Sequence, residues 1–340
     1  LFISGFFIRK GVYIMELVLQ NVLTPAVLFF ILGIFAAVVK SDLKFPQGLS
    51  EFLSIYLLVA IGLKGGVELS KHALSEVSGP MLGVLCLGTL IPVVVMLICE
   101  RIGLDRKNAA ALAACYGSVS IVTYGAGVTF LEQTGTSFES YMSAMVVLME
   151  SPAIFVALYF LKLRENTAPS VQLGIVAKPG DASLLRESLF GKSILLLVGS
   201  LLIGWILGPK AVPVIKPLFI DLYGSMLVLF LLNMGVVAGQ RLPTIFSYGI
   251  KLIGLGILFP LIFGTTGVLV GYISGLSAGG MMLMGVLAGS ASYIAAPAAL
   301  RASVPEANAS IYLGLALGVT FPFNLIFGIP LYYQIALLLA

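Results

Sequence analysis

The sequence predicts an all-α polytopic membrane protein: ten transmembrane helices, built as two inverted five-helix repeats with two crossed, interrupted helices. Three observations carry that prediction. Of 340 residues, 59% are hydrophobic and 10% charged, and the mean hydropathy of +1.10 exceeds what a soluble domain carries. The apolar residues fall in runs of about 20, the length at which a helix crosses a hydrocarbon core of roughly 30 Å. Similar segments also recur at offsets of 168 to 172 residues.

Spans are expected at 23–39, 49–70, 80–99, 108–131, 140–162, 190–208, 217–240, 247–274, 279–301 and 309–338. Residues 1–14, "LFISGFFIRKGVYI", precede Met15 and are read as an upstream extension outside the fold. In the second span Lys64 and Glu68 stand four apart, the spacing of an i,i+4 ion pair. His72 follows at the membrane boundary. Cys86, Cys99 and Cys115 lie in or at the ends of apolar runs without a CxxC pair, so they read as packing residues and not as a redox or zinc motif. In the fifth span Glu150 precedes Pro152. The interval 163–189, with Pro169, Gly174, Pro179 and Gly180, is expected as a linker between repeats 15–162 and 190–340. Asp221 opens the seventh span, where a negative charge suits a helix N-terminus. Tyr332 and Tyr333 in the tenth read as an interfacial anchor.

Charge fixes the expected orientation. Thirteen Lys and Arg lie on the linker side of the ten spans and five on the other, so the linker is expected in the cytoplasm and both termini outside. The net charge of +4 is scattered between apolar runs and forms no nucleic-acid patch.

The candidate site comes from the repeat. "CYGSVSIVTYGAG" holds Gly117, Ser118 and Ser120, and "GVLAGSASYIAAPAALRASVPEANAS" holds Gly289, Ser290, Ala291, Ser292 and Pro297. Pro92 and Pro260, then Pro152 and Pro322, extend the correspondence. Five spans separate equivalent positions, so the copies run through the membrane in opposite senses, the arrangement by which secondary transporters place a site at the midplane. Small and helix-breaking residues are tolerated there when protein or a water-lined cavity takes up the freed backbone groups. Interrupted helices present N–H groups, a positive dipole end and serine hydroxyls to a small anion. Neither break holds Lys, Arg or His, and Arg301 lies at the end of its span, which favours a monoanion over a phosphate-like dianion. A hard cation such as Na⁺ suits carbonyls, hydroxyls and a carboxylate. The candidate ligands are Glu150, Thr320 and Asn324 beside the two prolines, with Ser118 and Ser292 from the breaks. No cofactor is expected; Na⁺ would be the coupling ion.

The second-repeat signature "VLAGSASYIAAPAALRASVPEANASIYL" followed by "GVTFPFNLIFGIPLYYQ", together with the break at Gly117, resembles the SbtA-type sodium-dependent bicarbonate permeases. The resemblance implies an integral protein of the bacterial inner membrane and a homotrimer working by an elevator mechanism. In it, a core domain (80–162 plus 247–338) would carry bicarbonate and Na⁺ past a gate domain (23–70 plus 190–240). It also implies a PII-like regulatory partner on the cytoplasmic face. Two departures stand out: Glu150 occupies a position where the resemblance implies Asp, and the linker is short. Two rival readings are a proton-coupled antiporter with Glu150 as proton carrier, and a membrane-embedded hydrolase. The second has little support, since there is no HExxH and His72 is the sole histidine.

Overall fold

A computed structural model describes residues 18–46, 48–165, 191–246 and 249–340. The stretch 1–14 and nearly all of the expected linker lie outside the described residues. Among the described residues the chain is helical throughout, with no strand.

The helices are α1 Pro25–Val38, α2 Leu49–Leu69, α3 Leu74–Arg101, α4 Arg106–Gly117, α5 Ile121–Thr134, α6 Met142–Glu165, α7 Lys192–Leu207, α8 Tyr223–Phe246, α9 Ile250–Ile273, α10 Ala278–Gly289, α11 Ala295–Ser303 and α12 Ala309–Leu339. Their starts follow local chemistry. Thr24 accepts from the Val27 N–H at 3.3 Å with Pro25 at the first helical position, where a missing N–H costs nothing. Asp105 caps α4 through the Asn108 N–H at 3.0 Å, and Ser277 caps α10 through the Gly280 N–H at 3.3 Å. The turns leading to these two caps are alike. In one, Gly103 (φ 93°) donates to Glu100 O and Leu104 to Cys99 O; in the other, Gly275 (φ 74°) donates to Tyr272 O and Leu276 to Gly271 O. Each glycine takes the left-handed conformation that ends a helix with its last carbonyls satisfied.

Among the described residues, seven helices are long and apolar enough to cross a membrane: Leu49–Leu69, Leu74–Arg101, Arg106–Thr134, Met142–Arg164, Lys192–Pro243, Ile250–Ile273 and Ala309–Leu339. The difference from ten expected spans has physical sources. Helices α1 and α10, with 14 and 12 residues, fall short of that length. The expected sixth and seventh spans join because 3₁₀ and π segments, Gly208–Ala211 and Lys216–Asp221, continue the helical winding between α7 and α8.

The most extensive helix pairs are α1 with α8 and α2 with α7, and glycine makes both. A Cβ at Gly235 would overlap Phe30 O, and one at Gly66 would overlap Leu201 O, so the backbones themselves touch. The remaining helices pack around α3, α4 and α6 on one side and α9, α10 and α12 on the other. Within α12, π turns at Ala316–Thr320 and Asn324–Gly328 bracket Pro322, whose missing N–H disturbs the α ladder. Asn21 Nδ2 donates to Leu325 O in the second of these turns.

Two expectations are corrected. Tyr332 and Tyr333 are buried, at 0% and 7% exposure, and bond inward rather than anchoring at an interface. Glu68 pairs with Lys71 at 2.7 Å, not with Lys64, because Lys71 just beyond the helix end can fold back three residues. Asp221 pairs with Lys216 at 2.9 Å, and His72 approaches Glu76 at 3.0 Å. Cys99 and Cys115 are buried, while Cys86 faces outward.

Candidate functional site

The two GSxS segments are breaks in the helical path, and they touch. Helix α4 stops at Gly117; Ser118 (φ −81°, ψ 178°) and Ser120 (φ −101°, ψ 108°) are extended, and α5 begins at Ile121. Helix α10 stops at Gly289, Ser290 is extended (φ −87°, ψ 167°), and α11 begins at Ala295. The Ser120 N–H donates to Ser290 Oγ at 2.9 Å, and the Ser292 N–H donates to Cys115 O at 2.7 Å. Each break therefore satisfies one group freed by the other, which is how unwound backbone survives at membrane depth.

The serines differ in what remains to them. Ser120 caps α5, accepting from the Thr123 N–H at 3.1 Å and the Thr123 hydroxyl at 2.8 Å. Ser292 accepts from the Ala296 N–H at 3.1 Å. Ser290 donates to Leu287 O at 3.0 Å. Ser118, fully buried, has a hydroxyl with no partner. All four are at most 3% exposed, as is Ala291. Both glycines lie where a side chain would not fit: a Cβ at Gly117 would run into the Pro92 ring, and one at Gly289 would come 2.5 Å from the Tyr332 hydroxyl.

Glu150 is brought to this crossing. With Val119, Ser120, Ile121, Ser292, Tyr293 and Ile294 it lines a cavity of about 10 Å³, room for one particle the size of a water. Its exposure is 1%, its Oε2 has no hydrogen-bond partner, and no Lys, Arg or His lines the cavity. A buried acidic oxygen without a partner is costly, and this one faces a site of ionic size.

Thr320 and Asn324 are placed elsewhere. Thr320 Oγ1 donates to Gly256 O at 2.6 Å and meets the Tyr116 hydroxyl at 2.6 Å. Asn324 Nδ2 donates to Gly289 O at 2.8 Å, and its Oδ1 lies 2.9 Å from the Tyr332 hydroxyl, itself 2.8 Å from Pro260 O. Asn324 holds the second break and Thr320 links α9 to the end of α4, and neither lines the Glu150 cavity. Sequence reasoning missed Tyr116 and Tyr332, although Tyr116 stands directly before the first Gly-Ser pair. A larger cavity of about 440 Å³ opens beside the second break, sharing Tyr293 and Ile294 with the small one.

Among metal-forming patterns, no group of three His, Cys, Asp or Glu occurs among the described residues. Hydroxyls, carbonyls and one carboxylate are the available oxygen donors, a set that suits a hard monovalent cation over zinc. No curated protein matches the chain. The family model described as the Na⁺-dependent bicarbonate transporter superfamily matches residues 25–337.

Proposed function

Because the chain belongs to the Na⁺-dependent bicarbonate transporter superfamily, a transporter and not an enzyme family, we propose that it carries bicarbonate or a similar small monoanion in symport with Na⁺ across the bilayer. The observation that carries the coupling is the unpartnered Glu150 Oε2 beside two touching helix breaks. Na⁺ sits in the small cavity on Glu150, with Ser292 on its wall and the unpartnered Ser118 hydroxyl in the adjoining stretch of the first break. Asn324 contributes indirectly, by fixing the carbonyl end of α10, and Thr320 by tying Tyr116 of α4 to Gly256 of α9.

The anion lies against the starts of α5 and α11, where first-turn N–H groups lack intrahelical partners and the dipoles point their positive ends inward. Gly117 and Gly289 let the two breaks pack closely against Pro92 and Tyr332, and Ala291 between Ser290 and Ser292 keeps the second break narrow beside the anion. Ser118, Ser120, Ser290 and Ser292 supply hydroxyl oxygens, and Na⁺ beside the anion offsets its charge, so that neither ion binds well alone.

The two glycine-tight pairs, α1/α8 and α2/α7, act as the gate, and α3–α6 with α9–α12 act as the moving core. The inverted repeat is supported by the likeness of the two breaks and of the turns that precede them; this division, an elevator stroke and a trimeric assembly go with it as what the family resemblance implies. The side carrying 163–189 is cytoplasmic in this reading, which is also where a PII-like partner would act. Initial uptake of radiolabelled bicarbonate into proteoliposomes, with and without an inward Na⁺ gradient, tests the proposal. Uptake indifferent to Na⁺ would end it.

A further inference from the structure

Two arginines line the 440 Å³ cavity without a carboxylate of their own. Arg241 comes from α8 and Arg301 from the last turn of α11. The other charged residues on its wall, Glu51 and Lys192, are bonded to each other. Among the described residues no ion pair engages Arg241 or Arg301. Both side chains line the same cavity wall, from two different helices. The helix end near Arg301 favours a positive charge there, but it leaves most of five N–H donors unspent.

A guanidinium presents a planar fork that matches two oxygens of a planar oxyanion. The cavity is open to solvent and reaches the second break through Tyr293 and Ile294. We propose that Arg241 and Arg301 form a second, Na⁺-independent subsite for the planar oxyanion, a station between the crossed breaks and the solvent on that face. Because one arginine stands on a glycine-locked helix and the other on the broken one, an anion between them links two elements that share no ion pair. The inference rests on the reading of bicarbonate as the transported anion, but it does not depend on the sodium assignment of Glu150.

The test is binding of ¹³C-bicarbonate to the purified full-length protein, followed by line broadening in Na⁺ and in choline. Wild type is expected to show a component that persists in choline. In Arg241→Gln/Arg301→Gln that component should vanish while the Na⁺-dependent one remains, which also certifies the fold. Each single Gln variant should weaken it. Arg241→Lys/Arg301→Lys should bind at least about threefold less tightly in choline, because an ammonium lacks the fork. No choline-resistant component in wild type, an unchanged one in the Gln variants, or equal binding in the Lys variant would overturn the subsite. Glu150→Gln should show the reverse loss, and retention of Na⁺-dependent binding there would count against the coupling reading alone.

Discussion

The first and second breaks share the spelling Gly-Ser-x-Ser and use it differently. Around the second, every polar group beside the helix-breaking proline is consumed: Thr320 by Tyr116 and Gly256, Asn324 by Gly289 and Tyr332. Around the first, the residue two before the proline is Glu150, whose Oε2 lacks a partner, and Ser118 lacks one as well. The same backbone device has thus been closed on one side and left open on the other. Under the proposed function, these unpaired oxygens place the cation at the first break.

The sharpest way to break this comparison is Glu150→Gln, which keeps size and removes charge. Half-maximal uptake should then need at least about tenfold more Na⁺, since the lost attraction acts where water screens little. A sodium curve like that of wild type in a folded protein would remove Glu150 from the coupling site. Its counterpart Thr320→Val should leave the sodium requirement within about twofold, because its oxygen is already spent in the Tyr116–Gly256 chain.

Asn324→Leu is the next largest effect, on stability this time. It strands Gly289 O, while the Tyr332 hydroxyl keeps Pro260 O, and a buried unsatisfied group costs about 1–3 kcal/mol. The thermal midpoint of the detergent-purified protein should fall clearly, with surviving protein keeping its Na⁺ dependence. Ser120→Ala should cost about 0.5–2 kcal/mol as a lost helix cap, visible in the same measurement. Ser118→Ala is the smallest in stability, within about 0.5 kcal/mol, as expected where no bond is lost. It should nonetheless lower uptake, and a drop in midpoint instead of uptake would make Ser118 a structural residue.

Much of this is legible in the residues. Apolar runs locate the helices, and GSxS at matching offsets locates both breaks. The turns at Gly103 and Gly275 carry the same 172-residue offset, in keeping with the proposed repeat. What escapes is facing. Tyr332 and Tyr333, read as an interfacial anchor from their place near the end of the last span, turn inward to Pro260, Asn324 and Thr136. Pairing escapes for a related reason: i,i+4 spacing offers Glu68 to Lys64, but helix ends let Lys71 compete. The roles of Tyr116 and Tyr332 depend on partners 204 and 72 residues away, which no local pattern encodes.

The glycine contacts of α1 with α8 and α2 with α7 have a mechanical meaning. Where side chains interlock, a joint can creep, because one rotamer can replace another as surfaces slide. Where carbonyl oxygens rest directly on the opposite glycine, as Leu201 O does on Gly66 and Phe30 O on Gly235, there is no bearing surface to deform and no intermediate position to occupy. Such joints behave as welds, and under the proposed division of gate and core any displacement is taken up along seams made of longer side chains, with these four helices as the gate.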